Sequence, residues 1–162
     1  MNDALLSTQI MELGRALSAR GLWLCTAESC TGGLISSALT DVSGSSEWFR
    51  GAVVAYANEV KESLLQVPRE TLEGHGAVSE PVVLAMAAGV CVTLGASCSV
   101  AVSGIAGPTG GSPDKPVGTV WLAWCVDGIV DAELKSFGGS RAEVKAQTVR
   151  AAVKGLLERL GG

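Results

Sequence analysis

Two glycine-rich polar stretches break an otherwise apolar chain, and each follows directly on a short apolar run. Thr26-Ala27-Glu28-Ser29-Cys30-Thr31-Gly32-Gly33 succeeds the run at residues 22–26. Ser103-Gly104-Ile105-Ala106-Gly107-Pro108, extended by Gly110-Gly111, succeeds residues 97–102. In open α/β sheets the loops at strand ends carry the site, so this pattern narrows both the fold and where its chemistry can lie.

The remaining segments fit the same architecture. Leu5, Leu6, Ile10, Leu13 and Leu17 recur at helical spacing over residues 3–20, with Gly21 as a stop. Residues 34–39 and a stretch after Pro68 read as short helices, and Ser79-Glu80-Pro81 opens a long apolar helix to about Leu94. Residues 22–26, 51–57, 97–102 and 117–126 read as strands, and Asp127-Gly128 turns the last of them into an antiparallel partner at residues 129–137. Ser140-Arg141-Ala142-Glu143 is a capping box for a closing helix to Leu160. The order predicts one three-layer α/β/α domain with a mixed sheet, spanning residues 1–162.

Composition then excludes several classes. Hydrophobic residues at 48% and charged residues at 17% rule out a disordered chain. They also leave little polar surface to cover a small monomer, which predicts a homodimer or a larger homo-oligomer. The 12 basic and 16 acidic residues are spread along the chain for a net charge of -4, against a nucleic-acid partner. The longest apolar stretch, residues 82–92, is too short for the roughly 20 residues a membrane span requires. Five cysteines without a C-x-x-C, and an N-terminus without a signal pattern, predict a reduced, cytoplasmic setting. One histidine and no clustered thiols predict no structural metal, and nothing in the pattern asks for a cofactor.

Four places can carry chemistry. Ser29 lies at a strand-to-helix turn, where its hydroxyl can stand free and the following N–H groups can hold an oxyanion or a phosphate; the same residues also suit a capping serine with turn glycines. Tyr56, Asn58 and Lys61 follow a strand. With Asn58 as the N-cap, Lys61 falls in the first helical turn, where the helix dipole and burial would lower its pKa toward that of a base. Glu59 and Glu62 push the other way, and a surface lysine between glutamates is the plain alternative. The 103–119 stretch allows close backbone approach to a ligand but contains no Gly-Lys-Ser/Thr of a P-loop. Its Ser112-Pro113-Asp114-Lys115 is an accidental S-x-x-K, since Pro116 biases Lys115 away from the helical region. Arg141 at a helix start is either an anion site or an exposed arginine beside a cap. His75 can serve as the base of a serine triad or simply end a helix.

Taken together, the stretches TAESCTGG (26–33), Tyr56-x-Asn58-x-x-Lys61, HGAVS (75–79), SGIAGP (103–108), KPVGTVW (115–121) and Gly139-Ser140-Arg141 resemble the CinA C-terminal domain family, the nicotinamide-nucleotide amidases, over roughly residues 5–160. The resemblance implies hydrolysis of the carboxamide of nicotinamide mononucleotide to nicotinic acid mononucleotide and ammonia, in pyridine-nucleotide salvage. It implies Ser29 as nucleophile, with Lys61 and Tyr56 activating it. The substrate contacts expected are Thr31, Gly32, Gly33, Asn58, Ser103, Gly104 and Arg141, the last toward the 5′-phosphate. Glycine-loop amides, from Thr31 to Gly33 or from Gly104, would form the oxyanion hole. Many family members carry a further N-terminal domain resembling molybdopterin-binding proteins; this chain begins at the amidase domain, so activities tied to that domain are expected to be absent. The rival expectations are a non-catalytic nucleotide-binding module and a partner protein of a competence or DNA-damage system.

Overall fold

The computed structural model describes residues 3–161. Five strands form one mixed sheet: β1 (Leu24–Glu28), β2 (Phe49–Val54), β3 (Cys98–Gly104), β4 (Thr119–Val126) and β5 (Ile129–Ser136), in the order β2-β1-β3-β4-β5. β1 runs parallel to both β2 and β3, whereas β4 is antiparallel to β3 and to β5. Six helices complete the fold: α1 (Ala4–Ala19), α2 (Leu34–Thr40), α3 (Asn58–Leu65), α4 (Arg69–His75), α5 (Glu80–Leu94) and α6 (Arg141–Arg159). Among the described residues no helix is long and apolar enough to cross a membrane.

The two faces of the sheet are buried separately, giving the expected three layers. Leu6, Ile10 and Leu13 of α1, Ile35 of α2 and Val149 and Val153 of α6 pack on Leu24, Val100, Leu122 and Trp124. Leu65 of α3, Leu72 of α4 and Val82, Met86 and Val90 of α5 pack on Cys25, Ala27, Ala101 and Ala123 of the other face. α5 crosses the middle of that face and touches α3 so closely that a methyl on Gly89 would collide with the Leu65 carbonyl. On the opposite side the Trp124 indole donates to Ala152 O (2.9 Å), and Arg159 stacks on its ring at 3.8 Å.

Helical periodicity locates α1, α5 and α6 within a residue or two, and the capping box at Ser140 is present. The hairpin turn is also as expected: Asp127 and Gly128 both take positive φ (49° and 83°), which a two-residue turn between right-twisted strands requires. Two strands are displaced. The run expected at 22–26 lies at Leu24–Glu28, and the one expected at 51–57 lies at Phe49–Val54. A third correction concerns Asn58. It is the first helical residue of α3, exposed, while Ala57 holds the cap position with no side-chain hydrogen bond.

The topology places the site. From β1 the chain crosses by α2 on one face to β2. It returns by α3, α4 and α5 on the other face to β3, on the opposite side of β1. Strand order therefore reverses at β1, and the carboxyl ends of β1 and β3 diverge into two loops that leave a crevice between them.

Candidate active site

Ser29 stands at the lip of this crevice, one residue past β1. Its N–H donates to Val102 O (3.1 Å), and the Ala55 N–H donates to Glu28 O (2.8 Å), so hydrogen bonding to both neighbouring strands continues to the edge of the turn. The chain then doubles back through Gly32 and Gly33, whose φ values of +61° and +98° are open to glycine without strain, and enters α2.

What fixes the turn is Glu28, a residue without a role in the sequence reading. It is fully buried, and its carboxylate accepts five hydrogen bonds. Oε2 takes Thr31 Oγ1 (2.7 Å), Gly33 N (3.0 Å) and Ile35 N (3.0 Å), and Oε1 takes Ser36 N (2.8 Å) and Thr26 Oγ1 (3.2 Å). The free N–H groups that open every helix are thus met here from the preceding strand. The available signal was a carboxylate ending an apolar strand just before a helix start, where an anion is favourable.

This arrangement engages polar groups of three residues expected to contact substrate. The Thr31 hydroxyl is buried and spent on Glu28, the Gly33 N–H is spent on the same carboxylate, and the Gly32 N–H donates to Ser29 O at 3.1 Å. The N–H groups of Cys30 and Thr31 meet no acceptor among the described residues. Gly104 offers another. Ile105 N donates toward β4 (Thr119 O, 2.9 Å), so alternation along β3 turns the Gly104 N–H toward β1, the side on which Val102 O receives Ser29.

Lys61, in the first turn of α3, is brought under Ser29 and is only 1% exposed. Its Nζ donates to Ala55 O (2.9 Å) and Tyr56 O (3.2 Å) and lies 3.3 Å from Ser29 Oγ. Burial holds its pKa below the ordinary lysine value; a Cys30 thiolate would oppose this. That thiol is itself pushed up to about 11 by burial, so at neutral pH it carries no charge to oppose the shift. The flanking glutamates do not reach the ammonium: Glu59 is exposed, and Glu62 is held by Arg69 at 3.1 Å.

Tyr56 contributes differently from the expectation. Its carbonyl contacts Lys61, but the residue is 64% exposed and its hydroxyl accepts from Arg141 Nη2 at 3.2 Å. Arg141, at the start of α6, also donates through Nη1 to Gly107 O at 2.8 Å. Ser29, Tyr56, Gly104 and Arg141 line one cleft of about 290 Å³. Ser103 does not line it; its hydroxyl points to the α5 face and donates to Ala77 O (2.8 Å), pinning the loop before α5. Asn58 is exposed and does not line the cleft. His75 ends α4, exposed, and lines no part of the cleft; its carbonyl accepts from Lys115 Nζ at 2.9 Å. Among the described residues no group of three or more His, Cys, Asp or Glu side chains is placed to hold a metal ion.

A buried lysine bonded to a serine at a strand end is a recognisable arrangement, and known proteins share the chain that builds it. The family profile of the CinA C-terminal domain matches residues 7–160. The chain is 51% identical over 148 residues to the nicotinamide-nucleotide amidohydrolase PncC of Enterobacter agglomerans, covering 91% of this chain and 90% of that one. It is 46% identical over 162 residues to the protein of the same name from Escherichia coli (strain K12), covering 98% and 97%. The crystal structure of the competence/damage inducible protein CihA from Agrobacterium tumefaciens matches it with a TM-score of 0.94 at 40% identity, over 100% of this chain and 99% of that one. Sequence and fold agree along nearly the whole length, and the chain belongs to the CinA C-terminal domain family.

Proposed function

We propose that this protein is a nicotinamide-nucleotide amidohydrolase that converts nicotinamide mononucleotide to nicotinic acid mononucleotide and ammonia, with Ser29 as nucleophile and Lys61 as its base. The observation that carries the reading is the set of partners around Lys61 Nζ. A neutral amine has two N–H bonds and one lone pair. The Ala55 and Tyr56 carbonyls take the two donors, and the lone pair is left for the Ser29 hydroxyl. The names of the relatives supply the substrate.

In this mechanism the Ser29 hydroxyl gives its proton to Lys61 as Oγ attacks the carboxamide carbon. The tetrahedral oxyanion is met by N–H groups of the Cys30-Thr31 turn or of Gly104, each donor worth roughly 10²–10³ in rate. Collapse breaks the C–N bond, and the Lys61 ammonium returns its proton to the departing nitrogen, which leaves as ammonia. Water, deprotonated by the same lysine, then attacks the ester on Ser29; the C–Oγ bond breaks, Lys61 returns that proton to Oγ, and the carboxylate leaves. Positioned acid–base catalysis of this kind contributes about 10²–10⁴ in rate. Tyr56 holds the lysine by its main-chain carbonyl and forms the cleft wall with its ring. Arg141 exchanges its neutral partners for the substrate phosphate. The enzyme acts in cytoplasmic pyridine-nucleotide salvage as a homodimer or larger assembly, consistent with exposed apolar side chains such as Leu5, Val92 and Ile129.

The test is incubation of the purified protein with nicotinamide mononucleotide and assay of ammonia. Release in proportion to enzyme, abolished by Ser29→Ala, is expected. Binding without turnover would replace the reading with a nucleotide-binding module. Light scattering at micromolar protein tests the assembly, and a monomeric mass would refute it.

A further inference from the structure

The charges around the nucleophile turn are unbalanced. In a chain of net charge -4, Arg69, Lys135, Arg150, Lys154 and Arg159 are each paired with an aspartate or glutamate. The other seven basic residues, Lys61, Arg141 and Lys145 among them, have no carboxylate within ion-pair distance among the described residues. Glu28 lies beneath the same turn, but its two oxygens are engaged by five hydrogen bonds. Lys61 is buried with the serine, which leaves Arg141 and Lys145 as the outward pair.

Lys145 has no part in the mechanism above, and its position is specific. It follows Arg141 by four residues in α6, so the two side chains share one face of the helix at roughly 5–6 Å between β-carbons. Its Nζ stands 3.8 Å from the point a β-carbon would occupy on Gly32, above the turn that carries Ser29 and Cys30. Gly32, having no side chain, leaves that approach to the turn open.

We propose that Lys145 is a second cation of the anion subsite, gripping with Arg141 a phosphate monoester on the substrate, and that it sets the preference for phosphorylated over unphosphorylated substrates. The proposal rests on the amidase reading only for what carries the phosphate. A phosphate monoester bears about -1.5 to -2 charges near neutral pH, which one arginine leaves partly unmatched. Two unpaired cations one helical turn apart match it, with a separate donor for each of two oxygens.

The experiment uses inorganic phosphate as its first probe, because that needs no turnover. Phosphate should raise the melting temperature of the wild-type protein above a chloride control of equal ionic strength. Lys145→Met, which keeps the aliphatic stem, should move the phosphate concentration giving half the effect up by about tenfold, and Lys145→Arg should restore it to within about threefold. With nicotinamide mononucleotide as substrate, Lys145→Met should raise KM by about tenfold and alter kcat by less than about twofold. No stabilisation of the wild type by phosphate would overturn the proposal, as would an unchanged titration in Lys145→Met. A fall in kcat at constant KM would also overturn it, making Lys145 a support of the turn. Failure of the wild type to release ammonia would instead remove the amidase reading, while the phosphate titration would still decide the role of Lys145.

Discussion

The two glycine-rich loops leave neighbouring parallel strands and share a composition, yet they are held by opposite means. The turn after β1 is fastened from inside, by a buried carboxylate that accepts five hydrogen bonds from donors between Thr26 and Ser36. The loop after β3 is fastened at its base by Gly118 N to Ile105 O (2.7 Å) and at its flanks by two cations, one from α6 and one of its own. Arg141 reaches Gly107 O, and Lys115 reaches across to His75 O. Residues 108–114 are exposed. Under the proposed mechanism the difference separates two tasks. A nucleophile and its base must keep a fixed distance, which a closed internal network provides. A ligand wall must exchange partners, and arginine bonded to a carbonyl and a phenol can trade those neutral acceptors for an anion.

Substitutions at the fixed turn should have the largest effects. Ser29→Ala is expected to lower kcat by at least about 10³-fold while keeping the fold, and Lys61→Ala to do nearly the same. The double variant should be scarcely worse than either single one, since both act as one unit. Lys61→Arg should not rescue, because a guanidinium with a pKa above about 12 cannot accept a proton at neutral pH. A double variant far below both singles in steady-state kinetics would separate the two residues.

The pH profile sharpens the same point. Burial lowers the Lys61 pKa, and the base must be neutral to act. Activity should therefore rise with pH through a limb below the ~10.4 of a free lysine and fall away on the acid side. A limb at the free-lysine value in kcat/KM would mean that the buried amine is not the base.

Glu28→Gln comes next. One amide oxygen then replaces two carboxylate oxygens before five donors, and buried N–H groups left unmet cost about 1–3 kcal/mol each. A stability loss of about 3 kcal/mol in urea unfolding is expected, with kcat down about tenfold. No change in either would remove Glu28 as the fastener of the turn.

The adaptable loop should respond more mildly and in KM. Arg141→Ala is expected to raise KM for the mononucleotide by about tenfold or more, with a smaller change in kcat. Lys115→Ala, cutting one exposed tie to His75 O, should cost less than about 1 kcal/mol and change KM about twofold. A collapse of kcat in either variant would show that this loop also holds the chemistry. Retained activity in His75→Ala would complete the contrast with a serine–histidine triad.

Much of this molecule is dictated locally. The periodicity of α1, α5 and α6, the capping box at Ser140 and the paired positive φ of Asp127 and Gly128 each depend on side chains within a few residues of one another. The loops at the ends of β1 and β3 were legible for the same reason, and with them Ser29, Gly104 and Arg141 as residues that meet at one cleft. The strand limits at β1 and β2 were not, because Glu28 reads as polar until the helix it serves is folded against it, and Phe49 precedes the apolar alternation. Lys61 was ambiguous between its glutamates. Only the docking of α3 under the sheet, the withdrawal of Glu62 by Arg69 and the arrival of Ser29 from 32 residues away make it a buried amine 3.3 Å from a serine hydroxyl. Likewise Thr31 and Ser103 carry hydroxyls that suit a ligand, and the packed structure gives them to Glu28 and Ala77 instead. Sequence alone determined backbone conformation and which faces are apolar, since both follow from short-range sterics and periodicity. The partner of each polar atom was decided by the tertiary structure, since burial removes water and leaves a donor or acceptor only the groups that the crossovers bring within hydrogen-bond reach.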